Sequence, residues 1–169
     1  MGARARAFNG FNLLVGEAVV PRPGGSAQPK LHYFSNRLER PARVLPPGIY
    51  GLSNAFLDVP WPKVTRAVGT FACQVAQRVD AADLFKLLAD RRLARDHELP
   101  ATGVPPDWER VLSSIQIRAN GYGTRTSTVL TVRRDGLVNF IERSFDAEDP
   151  DQYSDRSYEF MVAASEVSE

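Results

Sequence analysis

Two stretches of this chain place polar side chains where chemistry could use them. In "YGLSNAFLDVPWPK" an extended run ends in Asn54 just before an aromatic, proline-rich turn, and in "NGYGTRTSTVLTV" a glycine-rich loop enters a strand through Thr124, Arg125 and Thr126. An asparagine at the end of a strand commonly bonds its own backbone and shapes a turn; the sharper alternative is a catalytic amide. An arginine at a strand entry is commonly a solvated charge or half of a structural ion pair; the sharper alternative is a guanidinium facing a site.

Other reactive groups are sparse. The single cysteine, Cys73, falls off the apolar stripe of its helix and has no histidine near it in sequence, so it reads as an inert helix-surface or interface thiol rather than a nucleophile. With His32 and His97 as the only histidines, a transition-metal site is not expected. No phosphate-binding loop, GxGxxG, GxSxG, HExxH or CxxC pattern occurs. The acidic stretch "DAEDPDQYSD" lacks the loop glycine and distal glutamate of a calcium loop and reads as a solvated segment.

The elements that must position these residues follow from hydrophobic periodicity. "FNLLVGEA" (11–18) and "KLHYFSN" (30–36) read as paired strands, with the proline- and glycine-rich "VPRPGGSAQP" as the surface loop of their hairpin. "GIYGLSN" (48–54) reads as a third strand after Pro46 and Pro47. The period then lengthens: Val64, Ala67, Val68, Phe71, Ala72, Val75 and Val79 share one helical face, with Pro62 suited to the first turn. A second helix over 81–92 is opened by Asp80 and buries Leu84, Leu87 and Leu88. "RDHELPATGVPPDW" reads as an exposed loop. Four strands close the chain: "LSSIQIRA", "TSTVLTVRR", "LVNFIERSF" joined to it through Asp135-Gly136, and "RSYEFMVAA". Three strands, two helices and four strands define an α+β class rather than alternating βαβ units.

At 169 residues, with 43% hydrophobic and 24% charged residues, the chain has the size and composition of one soluble globular domain. A net charge of +1 gives no electrostatic reason to expect nucleic acid or an anionic membrane, and no apolar run is long enough for a spanning helix. "MGARARAFNG" lacks the apolar core of a secretory signal, so the expected compartment is the cytoplasm.

Taken in order, "FNGFNLLVGEA", "PPGIYGLSNAFLDVPWPK", "GYGTRTST", "LTVRRDGLVNFIERSF" and "RSYEF" resemble the C-terminal two-thirds of the NRDE family, also called the transport and Golgi organisation 2 family. That family in turn resembles the N-terminal nucleophile hydrolases. The resemblance implies an antiparallel sheet sandwich with flanking helices. It also implies that Asn54 helps hold an oxyanion and that Arg125 sits beside a nucleophilic cysteine. A rigid amide donor at an oxyanion is worth roughly 2.7–4 kcal/mol, and an arginine favours a neighbouring thiolate. Gly121, Tyr122, Gly123 and Thr124 then form a ligand-binding loop, the glycines allowing close backbone approach and Tyr122 walling the pocket.

The departures shape the expectation as much as the matches. The family pattern begins Met-Cys and carries an "NRDE" motif soon after; this chain begins Met1-Gly2, and its Asn36-Arg37 is followed by Leu38 and Glu39. It is therefore read as a single, N-terminally truncated domain over 1–169, with 1–7 and 161–169 as unstructured tails. With the nucleophile absent it is read as non-catalytic. The expected role is handling or trafficking of a small-molecule ligand, of the haem or acyl-CoA type that the family implies. The alternative is an amidohydrolase acting on non-peptide C–N bonds, its cysteine supplied by upstream sequence. No cofactor, nucleic-acid partner or membrane insertion is expected, and self-association through exposed sheet edges is.

Overall fold

The computed structural model describes residues 7–16 and 30–162. The chain divides into two compact units, one of residues 1–48, 131–139 and 159–169, the other of residues 49–130 and 140–158. It is an α+β protein whose described residues form three antiparallel sheets.

The first unit is built on a three-stranded sheet, β1 (Asn12–Gly16), β2 (Leu31–Ser35) and β3 (Arg43–Leu45), in sequence order. β1 and β2 pair from Asn12↔Ser35 to Gly16↔Leu31. The loop expected between them lies outside the described residues. Tyr33 and Leu45 are buried, whereas Leu13, Leu14 and Val15 are all exposed, so β1 is wet on both faces as well as being an edge. Asn36 holds the entry to β1. Its Oδ1 accepts from Phe11 N at 2.8 Å, its Nδ2 donates to Asn9 O at 2.9 Å, and Ser35 Oγ donates to Phe11 O at 3.1 Å.

The second unit carries the helices. α1 (Pro62–Val75) starts at a proline in its first turn and buries Val64. That position needs no amide donor, as the sequence suggests. α2 (Ala81–Leu88) is capped by Asp80, whose side chain accepts from Asp83 N at 2.8 Å. It stops four residues short of the predicted end because Asp90 turns its carboxylate onto Arg92 N, at 2.9 Å, rather than continuing the helix. Gly69, mid-helix in α1, is exposed with open space where a Cβ would stand. Alanine there saves backbone entropy at no steric cost, so Gly69→Ala is expected to raise stability by about 0.5–1 kcal/mol in urea denaturation.

Two predicted strands take other forms. "GIYGLSN" is extended, and among the described residues it is not part of a sheet. In place of a strand over "LSSIQIRA" the chain ends a short helix, α3 (Pro106–Val111), bends, and forms only the two-residue β4 (Arg118–Ala119) against β5 (Tyr122–Gly123). The serines explain this: Ser113 Oγ accepts from Ala94 N at 2.8 Å and donates to Arg110 O at 2.6 Å, while Ser114 Oγ donates to Gln116 O at 3.0 Å. Side chains that satisfy nearby backbone groups compete with a ladder. The predicted loop before this segment also holds a 3₁₀ turn, Asp96–Glu98, and the start of α3.

The last sheet, β6 (Thr126–Val132), β7 (Leu137–Phe145) and β8 (Tyr153–Met161), contributes to both units and agrees closely with the sequence reading. Arg133 N donates to Leu137 O across Arg134, Asp135 and Gly136, and Gly136 takes φ 88°. The turn is thus a three-residue loop with a left-handed glycine, longer than the two-residue form that Asp-Gly suggests. Met161, within the strand read over "RSYEFMVAA", closes β8.

Candidate functional site

Asn54 sits at the start of a bend that follows the extended segment and is exposed. The loop carrying it is closed at its base: Asp58 N donates to Gly51 O at 2.8 Å, and Gly51 N donates to Asp58 Oδ1 at 2.8 Å. Asp58 holds φ 61°, a left-handed conformation that aspartate tolerates better than most residues. Gly51 has no room for a side chain, since a Cβ would stand 2.5 Å from Val64 Cγ1 and 2.9 Å from Val68 Cγ2. Sequence reasoning named Asn54 but missed Gly51 and Asp58, which position it. The available signal was a glycine and an aspartate bracketing a short apolar turn before two prolines.

The "GYGTRTST" segment is organised by its own backbone. Gly121 takes φ 71° at the turn of β4–β5, and a Cβ on Gly123 would stand 2.8 Å from Ile117 O. Both glycines are therefore required for the turn itself. Thr124 closes the base, with its N donating to Ile117 O and its Oγ1 accepting from Ile117 N, both at 2.9 Å. Tyr122 is half exposed and meets Trp108 edge-on at 5.4 Å. Arg125 is exposed at the entry to β6, where its carbonyl accepts from Phe145 N at 2.9 Å. Its charge adds to the N–H groups of Asp149 and Glu148 that hold the Asp146 carboxyl below its ordinary range. Among the described residues no hydrogen bond joins the side chains of Asn54 and Arg125.

Charge in this unit is concentrated elsewhere. Asp90 receives Arg92 and Arg66, which bring its carboxyl down to about 2 from an ordinary 3.8. Asp151 is drawn to about 2 by Arg118 and then Arg91, each donating to Oδ1 at 2.9 Å. Arg143 grips Asp155 through two bonds of 2.8 Å while its guanidinium lies over the Phe85 and Tyr153 rings at 4.3 and 3.8 Å. These groups are already paired, and they read as ties between segments rather than as acids or bases awaiting a substrate. Because the folded pKa values of Asp90 and Asp151 lie below the unfolded ones, their contribution is complete above about pH 4 and is lost as pH falls through 2. Stability is expected to decline across that window, and Asp90→Asn to flatten the decline, as urea midpoints at pH 5, 3.5 and 2.5 would show.

An apolar cavity of about 260 Å³ lies in this unit. α1 supplies Ala67, Val68 and Phe71; α2 supplies Leu84, Leu87 and Leu88; Tyr50 and Gly51 come from the extended segment, and Thr128, Val129 and Leu130 from β6. Neither Asn54 nor Arg125 is part of its lining. The sequence assigned these helix faces to the core. That the two helices and β6 leave a space between them is a property of three-dimensional packing that no period in the sequence encodes.

Together these features define an α+β domain with an apolar cavity beside a clasped loop. A family model described as Transport and Golgi organisation 2 matches residues 2–147. The chain is 34% identical over 172 residues to the transport and Golgi organization protein 2 homolog of Bos taurus, covering 96% of this chain and 60% of that protein. It is 33% identical to the Homo sapiens homolog, over 92% of this chain and 58% of that protein. The Drosophila melanogaster transport and Golgi organization protein 2 is 28% identical over 85% of this chain and 51% of its own length. The chain therefore belongs to the transport and Golgi organisation 2 family, and it spans about 60% of the length of the bovine relative.

Proposed function

We propose that this chain is a non-catalytic ligand-handling domain of its family, and that its ligand carries an acyl or comparable apolar chain. The apolar cavity carries this reading. Its lining offers aliphatic and aromatic surface with few polar groups, the character of a small-molecule site. Of the two ligand types that the family resemblance suggests, the acyl chain suits it better. A haem iron would want a histidine, cysteine, methionine or tyrosine, and of these the lining offers Tyr50 alone.

The reading also takes the sheets and helices as part of an N-terminal nucleophile hydrolase-like sandwich, with Asn54 and Arg125 as accessory positions and Gly121 to Thr124 as a flanking loop. No observation here favours turnover over binding. The other expectations, a cytoplasmic setting and association through sheet edges, stay with this proposal; β1, an edge strand exposed on both faces, supports the second. Among the described residues no helix is long and apolar enough to cross a membrane.

The test is a titration with toluene followed by methyl resonances of Val68, Leu84 and Leu87. Saturable shifts are expected in the native chain and their loss in Ala67→Phe, whose ring would occupy the space. Alkyl alcohols of increasing length should gain about fourfold in affinity per methylene while the chain is still entering the cavity, since each buried methylene contributes about 0.8 kcal/mol. Equal binding by the native and filled forms would place the apolar site elsewhere.

A further inference from the structure

β6 is the outer strand of its sheet, and the cavity touches three consecutive residues of it, Thr128, Val129 and Leu130. Successive side chains of a strand point to opposite faces, so a space bordered by three in a row meets the main chain of the strand as well as its side chains. What that edge presents follows from the register. Phe145 N donates to Arg125 O at 2.9 Å, and Arg133 N donates to Leu137 O at 2.8 Å. In an antiparallel pair a residue that bonds its neighbour turns both its N–H and its C=O inward, and the next residue turns both outward. Counting between these two fixed points, Ser127, Val129 and Thr131 face β7, while Thr126, Thr128 and Leu130 direct their backbone groups to the open edge. Among the described residues no other segment bonds Thr128 or Leu130 on that side.

A donor and an acceptor from one residue, side by side at the rim of an apolar space, form a specific recognition element. From this pairing we infer that the cavity selects a carboxamide on an apolar chain: the chain lies among Val68, Phe71 and Leu87, and the amide donates to one outward carbonyl of β6 while accepting from the matching N–H. An ester can accept but not donate, so it satisfies half of the pair and leaves the carbonyl of β6 unpaired beside apolar surface. A cavity of about 150 Å³ admits benzene, so one of about 260 Å³ admits a chain of about eight carbons. Octanamide is the natural probe. This inference rests on the ligand-handling reading and adds the head group to it.

The experiment compares toluene, methyl octanoate and octanamide on the whole chain by calorimetry and amide-proton NMR. Octanamide is expected to bind about tenfold more tightly than methyl octanoate, and to shift the Thr128 and Leu130 amide protons, which toluene leaves in place. Thr128→Pro deletes the outward N–H at a position where an edge strand tolerates proline, and Thr128→Val removes only the hydroxyl. The proline variant should lose about tenfold for octanamide beyond any change in its toluene affinity, and the valine variant should lose nothing beyond such a change. If Thr128→Pro fails to fold, the amide-proton shifts of the native chain decide the question. Binding of all three probes with equal amide and ester affinities would overturn the head-group inference while leaving the cavity reading intact; binding of none would remove the cavity reading itself. Much tighter binding of a blocked apolar pentapeptide than of octanamide would identify the edge as a strand-addition site and also overturn it.

Discussion

Asn36→Ala is expected to destabilise the first unit by about 1–3 kcal/mol, a sizeable share of the stability of a domain this size. Asn36 is 6% exposed, and its amide is the tie between the start of β1 and the end of β2. Removing it takes a partner from Phe11 N and Asn9 O; both residues are exposed and water can replace part of each bond, so each loss is worth the about 0.5–1.5 kcal/mol of an ordinary hydrogen bond. Asn36→Asp keeps the acceptor for Phe11 and loses the donor to Asn9, so about half of the loss is expected. Hydrogen exchange reads this directly: the Phe11 amide should exchange much faster in the alanine variant and little faster in the aspartate variant. Unchanged protection in Asn36→Ala would mean that the segment is held by something else.

Gly51→Ala is expected to cost about 1–3 kcal/mol and to weaken binding in the cavity. Its φ lies outside the left-handed region, so backbone strain is not the cause. The cause is space: the new methyl would stand 2.5 Å from Cγ1 of Val64, itself buried, so α1 or the loop must move. Either movement disturbs two things at once, because Gly51 lines the cavity and also makes both hydrogen bonds to Asp58. Gly10→Ala is the control. Its Cβ would meet the far end of the Arg37 side chain at 3.2 Å, which can swing away, so a change within about 0.5 kcal/mol is expected. Chemical denaturation of both variants, with toluene affinity measured alongside, checks the pair.

Much of the fold was legible in the sequence, and the misses share a physical origin. β7 reads correctly to the residue because Leu137–Phe145 is bounded by a turn at Gly136 and by the acidic loop after Phe145. The start of α1 reads correctly because Pro62 can occupy few other helical positions. "GIYGLSN" has the composition of a strand, but a strand also needs a neighbour to bond, and pairing is a long-range property. "LSSIQIRA" fails for a local reason, since Ser113 and Ser114 satisfy backbone groups that a ladder would use.

The site divides in the same way. Asn54, Arg125 and the "GYGT" loop stood out because their residue types are unusual for their setting, and the family resemblance drew attention to them. The cavity is made of ordinary valines, leucines and alanines from two helices and a strand edge, each of which sequence analysis rightly assigns to apolar surface. Only the packing shows that these surfaces stop short of one another, and only the register shows which backbone groups of β6 remain turned outward.

The most direct test of the ligand-handling reading is a crystal structure of the chain grown with octanamide. The expected result is chain density among Val68, Phe71 and Leu87, with the amide against the backbone of Thr128 or Leu130. Density for the ligand on another surface, with the cavity left empty, would contradict it.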